Sequence, residues 1–141
     1  MERVSLSTVA MTALRKAARA SFPAEACGLL LGKGRRVERL VPLPNAAKDR
    51  RAVRFAIDPA RYAAAERAAA RAKLAVLGVW HSHPLSPAAP SETDAAFIAD
   101  WPEWVHVIVR VDVQDKKPAV NDVRAYRREG RRIVEVPVGV S

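Results

Sequence analysis

Two periods of apolar residues run through the chain, one typical of strands and one typical of helices. Residues 105–113, VHVIVRVDV, alternate strongly, which predicts a strand with Val105, Val107, Val109 and Val111 on one face. Residues 75–80, AVLGVW, are apolar throughout, which predicts a central strand covered on both faces. Residues 7–21 repeat their apolar positions at helical spacing after Ser7, a suitable N-cap, and so predict an amphipathic helix.

Shorter signals complete the secondary structure and indicate the fold class. Asp58 and Pro59 precede an alanine-rich segment, which predicts a second helix that continues to residue 74. A third, short helix is predicted at 91–100. Further strands are predicted at 4–7, as a short edge strand, and at 25–34, 35–43, 52–57, 119–130 and 131–138, the last two as a closing hairpin. This mixed order predicts a single α/β (α+β) domain over residues 1–141, with a mixed sheet flanked by helices.

Composition narrows the class of protein. Half of the 141 residues are hydrophobic, which is enough for one core, but no apolar run approaches the roughly 20 residues of a membrane span. Cys27 is the single cysteine, so an internal disulfide and a four-cysteine zinc site are excluded, and a reducing, cytoplasmic location is expected. Most of the N-terminal charge follows the first apolar residues, which is not the order of a secretory signal.

The net charge of +9 raises the question of an acidic partner such as nucleic acid. The 24 Lys and Arg residues are spread along the chain, often as arginine pairs, and form no basic run. Three Trp, two Tyr and three Phe are too few to interleave with them as base-stacking side chains. The charge pattern therefore argues against nucleic acid as the partner.

Two of the three histidines, His81 and His83, end the predicted central strand. Residues at i and i+2 of a strand point to the same side, about 7 Å apart along the chain, so two imidazoles can converge on one ion. Pro84 cannot continue the hydrogen-bond ladder, which places the pair at the C-terminal end of the strand. Open sheets commonly build their functional sites at this end.

A catalytic zinc site usually takes three protein ligands, so a third is needed. The nearest downstream carboxylates are Glu92 and Asp94, and ten residues separate His83 from Asp94, enough for a returning loop. Ser91 and Asp94 also fit a variant of the capping box, which is the better interpretation of those two residues alone. A histidine pair at the end of an apolar strand gains nothing in packing, and this favours a common role for the four residues.

A hydrolytic site also needs a base, and Glu25 is the candidate. Glu25 begins the predicted strand at 25–34, just before its apolar run. A carboxylate on a strand next to the histidines can take a proton from water. Considered alone, an ordinary solvated charge at the start of a strand is the more common case.

The stretch HSHPLSPAAPSETD, with PAEACGLLLG upstream, resembles the JAMM (MPN+/Mov34-like) zinc metalloprotease family. Its pattern is a glutamate, then His-x-His-Pro, with ten residues between the second His and an aspartate and a serine three residues before that aspartate. Glu25, His81, His83, Ser91 and Asp94 match position by position, and the resemblance extends over about 7–111. It implies the MPN/JAMM (cytidine-deaminase-like) fold with a curved sheet.

The resemblance also implies a mechanism. His81, His83 and Asp94 would hold one zinc ion with water as the fourth ligand, Glu25 would be the general base, and Ser91 would donate to the oxyanion. The chain lacks the long insertions of deubiquitinating members and looks like the small stand-alone prokaryotic form. Such forms act on ubiquitin-like β-grasp proteins and sulfur carriers, at a peptide or isopeptide bond of the Gly-Gly tail. Strand addition beside the site is the expected binding mode.

Alternatives remain open at the level of the sequence. One is a non-catalytic MPN-type protein-binding module with a structural zinc, which would need no base at Glu25. Another is a phage or cell-wall endopeptidase with the same chemistry. Cys27 either lines the site or fills the core, and His106 is expected to be structural. The oligomeric state is open, and the helix at 7–21 offers one face for a homodimer.

Overall fold

The computed structural model describes residues 3–141, so Met1 and Glu2 of the predicted domain lie outside the described residues. Residues 3–141 fold as eight strands in one sheet and three helices. The strands are β1 (Val4–Leu6), β2 (Cys27–Lys33), β3 (Arg36–Leu43), β4 (Ala75–Pro84), β5 (Val105–Gln114), β6 (Lys117–Glu129), β7 (Arg132–Val136) and β8 (Val138–Val140). The helices are α1 (Thr8–Ser21), α2 (Pro59–Arg71) and α3 (Glu92–Asp100).

The sheet is mixed, with the strand order β7-β6-β5-β4-β2-β3-β1-β8. Strand β4 occupies the middle, parallel to β5 and antiparallel to β2. The two edge strands, β7 and β8, are separated in sequence by Pro137 alone, so the sheet curls until its two edges meet. The fold thus has the predicted α+β class and the curved, mixed sheet.

Helix α1 covers one face of the sheet and encloses the main core. Ser7 caps α1 as predicted, since its hydroxyl accepts a hydrogen bond from the Ala10 amide at 3.0 Å. Four valines of β5 are buried on this face beside Trp80 and Leu14, namely Val105, Val107, Val109 and Val111, whereas Val113 near the end of the strand is exposed. The opposite face carries α2 and α3, and it is the face to which His81 and His83 point.

Three predicted strands are corrected by the structure. Residues 4–7 form no edge strand: β1 lies between β3 and β8, because the C-terminal β8 adds outside it. The strand predicted at 131–138 is interrupted at Pro137, which cannot donate to a ladder, and its two parts pair at opposite edges of the sheet. Glu25 precedes β2, which begins at Cys27.

Residues 52–57 form no strand either, although their apolar composition predicts one. They continue from a turn as irregular chain, and their backbone bonds partly to the side chain of Asn45. Phe55 uses its side chain to cover His81 and does not contribute to a strand. Tertiary contacts therefore override the local β-propensity.

The helices of the fold are short. Among residues 3–141, none of them combines the length and the apolar character that crossing a membrane requires.

Candidate active site

Strand β4 brings the two histidines together. Cys27 of β2 pairs with His81 on one side, and Ile108 and Arg110 of β5 pair with His81 and His83 on the other. Both imidazoles are buried, and their Nε2 atoms lie 3.1 Å apart. A position between two ladders leaves the strand end little freedom, so the spacing of the pair is set by the backbone.

Helix α3 adds Asp94 to the pair. Asp94 lies in the first turn of α3, with Oδ1 3.2 Å from His81 Nε2 and Oδ2 2.9 Å from His83 Nε2. The loop that returns the chain is held by Tyr126, whose hydroxyl donates to the Ala88 carbonyl at 2.6 Å. The three side chains offer ligand atoms that all lie within 4.8 Å of one another, so they could hold a metal ion.

The protonation of His83 follows from its neighbours. Its Nδ1 lies 2.7 Å from the Pro87 carbonyl, which can only accept, so Nδ1 carries a proton. In neutral His83 the Nε2 lone pair then faces Asp94 Oδ2 at 2.9 Å, a distance that two acceptors tolerate only with a proton or a cation between them. A carbonyl that fixes the tautomer in this way is typical of metal-binding histidines.

Burial and hydrogen bonding have opposite effects on the pKa values of His81, His83 and Asp94. Burial lowers the pKa of His81 against the opposing hydrogen bond with Asp94. Burial also acts to lower the pKa of His83, but its bonds to Asp94 and Pro87 raise it above the usual value. Burial acts to raise the pKa of Asp94, but the two histidines hold it well below its usual range. Two nitrogens and one buried carboxylate fit a zinc ion well.

The capping box predicted at Ser91 and Asp94 is formed. Ser91 Oγ accepts from the Asp94 amide at 3.1 Å, and Asp94 Oδ2 accepts from the Ser91 amide at 3.0 Å. Capping does not draw the whole carboxylate away from the cluster, because Oδ1 takes no part in the box and faces His81. Capping instead holds the carboxylate toward the histidines, while the Ser91 hydroxyl hydrogen stays available as a donor.

Glu25 is buried beside this cluster, which overturns its interpretation as a solvated charge. Ser82 supports the adjacent residue: the Ala26 amide donates to Ser82 Oγ at 2.7 Å, and the Ser82 amide donates to the Ala26 carbonyl at 3.0 Å. Burial raises the pKa of Glu25 to about 8, with His83 lowering it and Asp94 raising it. A carboxyl that titrates near neutrality is suited to accepting and returning a proton.

Residues 46–57, which we call the Phe55 segment, form the other wall of the site. Phe55 stacks on His81 with ring centroids 4.5 Å apart, and Phe97 of α3 lies 5.8 Å from Phe55. Beyond Phe97 opens an apolar groove of about 280 Å³. Its lining residues are Ile57, Pro59, Tyr62, Phe97, Trp101 and Trp104.

Phe55 and Asn45 are absent from the sequence-based set of site residues. The apolar pattern of 52–57 was sufficient to predict a strand, and a polar loop around Asn45 looked unremarkable in sequence. A Pro-Asn pair before the loop was the one available signal of a fixed turn. Neither residue carries a spacing that indicates contact with the histidines.

Cys27 and His106 are two further buried residues next to the site. Cys27 is buried, its Sγ donates to the Leu43 carbonyl at 3.7 Å, and burial together with the charge of Glu25 raises its pKa to about 12. Such a thiol is unreactive, as expected of a small buried residue. His106 packs edge-on against Phe97 at 5.5 Å, and burial lowers its pKa to about 4.

Comparison with known proteins places this arrangement in a class. The fold is shared with solved structures, among them a protein from Desulfitobacterium hafniense with a TM-score of 0.81, 28% identity and coverage of 98% of this chain and 92% of that one. A JAB1/MPN domain protein from Archaeoglobus fulgidus aligns with a TM-score of 0.60 at 23% identity, covering 96% of this chain and 99% of that one. The fold is therefore that of the JAB/MPN class of domains.

The chain belongs to the prokaryotic JAB family, because the model described as "prokaryotic homologs of the JAB domain" matches residues 7–129. The family resemblance predicted from the sequence is confirmed. A desampylase of Haloferax volcanii is 36% identical over 100 residues, 70% of each chain. A CysO-cysteine peptidase of Mycobacterium tuberculosis is 32% identical over 125 residues, 87% of this chain and 81% of the peptidase. The names of these relatives indicate hydrolases that act on peptide-type bonds.

Proposed function

We propose that this protein is a zinc-dependent metallopeptidase of the cytoplasm. It hydrolyses a peptide or isopeptide bond at the C-terminal Gly-Gly tail of a ubiquitin-like or sulfur-carrier protein. The convergence of His81, His83 and Asp94 next to a buried Glu25 is the observation that carries the proposal. The names of the relatives, a desampylase and a CysO-cysteine peptidase, support the substrate class.

His81, His83 and Asp94 would hold one zinc ion in this proposal. Bound zinc supplies Lewis-acid polarisation of a carbonyl and lowers the pKa of a water molecule. The Pro87 carbonyl and the capping box orient His83 and Asp94 in advance, so little ordering remains to be done when the ion binds.

Glu25 is the general base and later the general acid. Its carboxylate accepts a proton from water, and the carboxyl then gives that proton to the leaving amine. The burial that raises its pKa to about 8 brings the two protonation states close in free energy at neutral pH, which suits a group that must do both.

Ser91 donates its hydroxyl hydrogen to the oxyanion that develops on the scissile carbonyl. Its Oγ lone pair is used by the Asp94 amide, which fixes the oxygen at the mouth of the site. A donor held in place before the reaction stabilises developing charge without reorganisation.

The Phe55 segment is the proposed docking strand for the tail. Within residues 3–141, Phe55 makes no backbone–backbone hydrogen bond, although its ring covers His81. An extended tail laid against this free backbone would pass directly beside the ligands, and glycines would let it approach closely. A flexible Gly-Gly tail meets both requirements.

A structural-zinc binding module is the runner-up function. A structural zinc site does not explain why Glu25 is buried beside the three proposed ligands, because such a site needs no base and usually has four protein ligands. Catalysis is therefore the better-supported function, and a phage or cell-wall endopeptidase would differ from it only in substrate.

The decisive experiment uses a sulfur carrier extended by residues beyond its Gly-Gly, with cleavage followed by mass spectrometry. Wild type should cleave it, and Glu25→Gln should bind zinc 1:1 but lose at least about 1000-fold in kcat. Glu92→Gln, which alters an exposed carboxylate in the first turn of α3, is the matched control and should stay active. Cleavage that survives both Glu25→Gln and chelation of the metal would refute the mechanism.

A further inference from the structure

We infer that Asn45 is a positioning residue that couples the backbone of Glu25 to the Phe55 segment. The inference rests on the proposed function only for the role of Glu25 as the base. The coupling itself is a property of the fold and can be measured without substrate or metal.

The side chain of Asn45 uses its full hydrogen-bonding capacity. Its Nδ2 donates to the Glu25 carbonyl at 3.0 Å and to the Arg54 carbonyl at 3.0 Å. Its Oδ1 accepts from the Ala47 amide at 3.0 Å and from the Ala56 amide at 3.2 Å. A primary amide is the small neutral side chain that offers two donors and two acceptors, so no other residue of this size makes all four bonds.

These four bonds join parts of the chain that no ladder connects. Glu25 precedes β2, and residues 46–57 contain no strand, so neither end of the link is held by the sheet. The contact with Ala47 forms a local turn, whereas Arg54 and Ala56 lie on the returning half of the segment. Asn45 therefore bridges both halves of the segment to the residue that carries the base.

A second contact makes the coupling rigid. The Glu25 amide donates to the Arg51 carbonyl at 2.6 Å, so the segment holds Glu25 through both its carbonyl and its amide. Arg51 Nε donates to the Ala47 carbonyl at 2.7 Å, and this bond links Arg51 to the turn that begins at Asn45. Loss of the four hydrogen bonds of the Asn45 side chain should therefore weaken the bond between the Glu25 amide and the Arg51 carbonyl, although Asn45 takes no part in that bond.

The Phe55 segment also links Asn45 to the histidine cluster. The segment that holds Glu25 also carries Phe55, whose ring stacks on His81. Asn45 consequently sets the position of the base relative to the histidines, and a displacement of about 1 Å at such a site can cost up to about 100-fold in rate.

The test compares Asn45→Ala with Asn121→Ala by amide hydrogen exchange in the metal-free protein. Asn121 bonds through its side chain to Asp112, away from Glu25, which makes it a matched control. We expect exchange in Asn45→Ala to rise at Ala47 and Ala56 and, decisively, by at least about fivefold at Glu25, as expected when roughly 1 kcal/mol of protection is lost. The control should leave all three amides unchanged.

Two further measurements distinguish a role of Asn45 in positioning Glu25 from a role in ordering the loop alone. Asn45→Ala should lower kcat by about 10- to 100-fold and change zinc affinity by less than about threefold, because the ligands stand on other elements. Asn45→Ser is neutral and can still cap the local turn, but it cannot reach both carbonyls, so it should protect Ala47 and leave kcat low.

Unchanged exchange at Glu25, with faster exchange confined to Ala47 and Ala56, would overturn the inference. Full activity of Asn45→Ser would do the same. If wild type cleaves no carrier at all, the proposed function fails, yet the exchange experiment still decides the coupling, so the two failures are distinguishable.

Discussion

The two walls of the site are built by different means. The ligand wall, formed by β4 and α3, positions His81, His83 and Asp94 through a strand ladder and a helix cap. The base wall, formed by Glu25 and the Phe55 segment, has no regular secondary structure at the site and depends on the side chains of Asn45 and Ser82.

This difference predicts that, in the proposed enzyme, a substitution can impair proton transfer without impairing metal binding. The ladders of β4 distribute their hold over many bonds, so one substitution rarely moves the histidines, and the capping box adds two reciprocal bonds at Asp94. The base wall relies on a small number of bonds, most of them made by two side chains and each with a net contribution of roughly 1 kcal/mol, so one substitution can shift Glu25 while the histidines stay. The following predictions test this separation, from the largest expected effect to the smallest.

Asp94→Ala should produce the largest effect, because it removes a proposed zinc ligand and half of the capping box. We expect zinc affinity to fall by at least about 1000-fold and activity to reach background, measured by competition with a metal-binding dye and by carrier cleavage. Glu92→Ala, in the same helical turn but exposed, should retain both. Tight 1:1 zinc binding by Asp94→Ala would contradict the assignment of Asp94 as a zinc ligand.

Substitutions of Ser91 test whether one residue of the ligand wall both caps α3 and donates to the oxyanion. Ser91→Ala should lose about 1 kcal/mol of stability as a cap and about 100-fold in kcat as an oxyanion donor. Ser91→Asp still caps but cannot donate, so urea unfolding should show recovered stability and the kinetics should stay impaired. Recovery of kcat in Ser91→Asp would contradict the donor role.

Ser82→Ala should affect the base wall alone. It leaves the buried Ala26 amide without its acceptor, which costs about 1–3 kcal/mol and releases the residue next to Glu25. We expect kcat to fall by about tenfold, with zinc affinity preserved within about threefold. Equal losses in zinc affinity and in kcat would show that the two walls are not separable.

His106 gives the smallest effect, a change in the pH dependence of stability. Its folded pKa of about 4 lies below the ordinary 6.5, through burial and the charge of His81, against a backbone hydrogen bond at Trp101 and the charge of Asp94. Below pH 6.5 the unfolded chain binds a proton that the folded chain refuses, so stability falls as the pH falls from 6.5 toward 4.

His106→Gln should therefore show a shallower decline over this range, by up to about 1.4 kcal/mol per pH unit, and no difference in slope above pH 6.5. Urea unfolding of the metal-free proteins at a series of pH values provides the measurement. Parallel curves for wild type and variant would show that another buried group controls the acid sensitivity.

Elements with strong local patterns could be predicted from the sequence, and those set by distant pairing could not. The N-cap at Ser7, the helix after Asp58 and the central strand ending at Pro84 agree with the structure, because capping, helix propensity and an unbroken apolar run are local. The strand predicted at 52–57 is wrong because two of its apolar residues have other contacts: Phe55 covers His81 and Ile57 lines the groove.

The sequence alone identified the residues of the proposed site. The histidine spacing, the return to Asp94 and the upstream Glu25 carry the JAMM (MPN+) pattern, and residue type and spacing are properties of the chain itself. Tertiary structure alone decided the environment: that Glu25 is buried, that one oxygen of Asp94 serves the cap while the other stays outside it, and that Asn45 and Phe55 belong to the site. These contacts join segments far apart in sequence, and no local pattern specifies which atoms the curled sheet brings together.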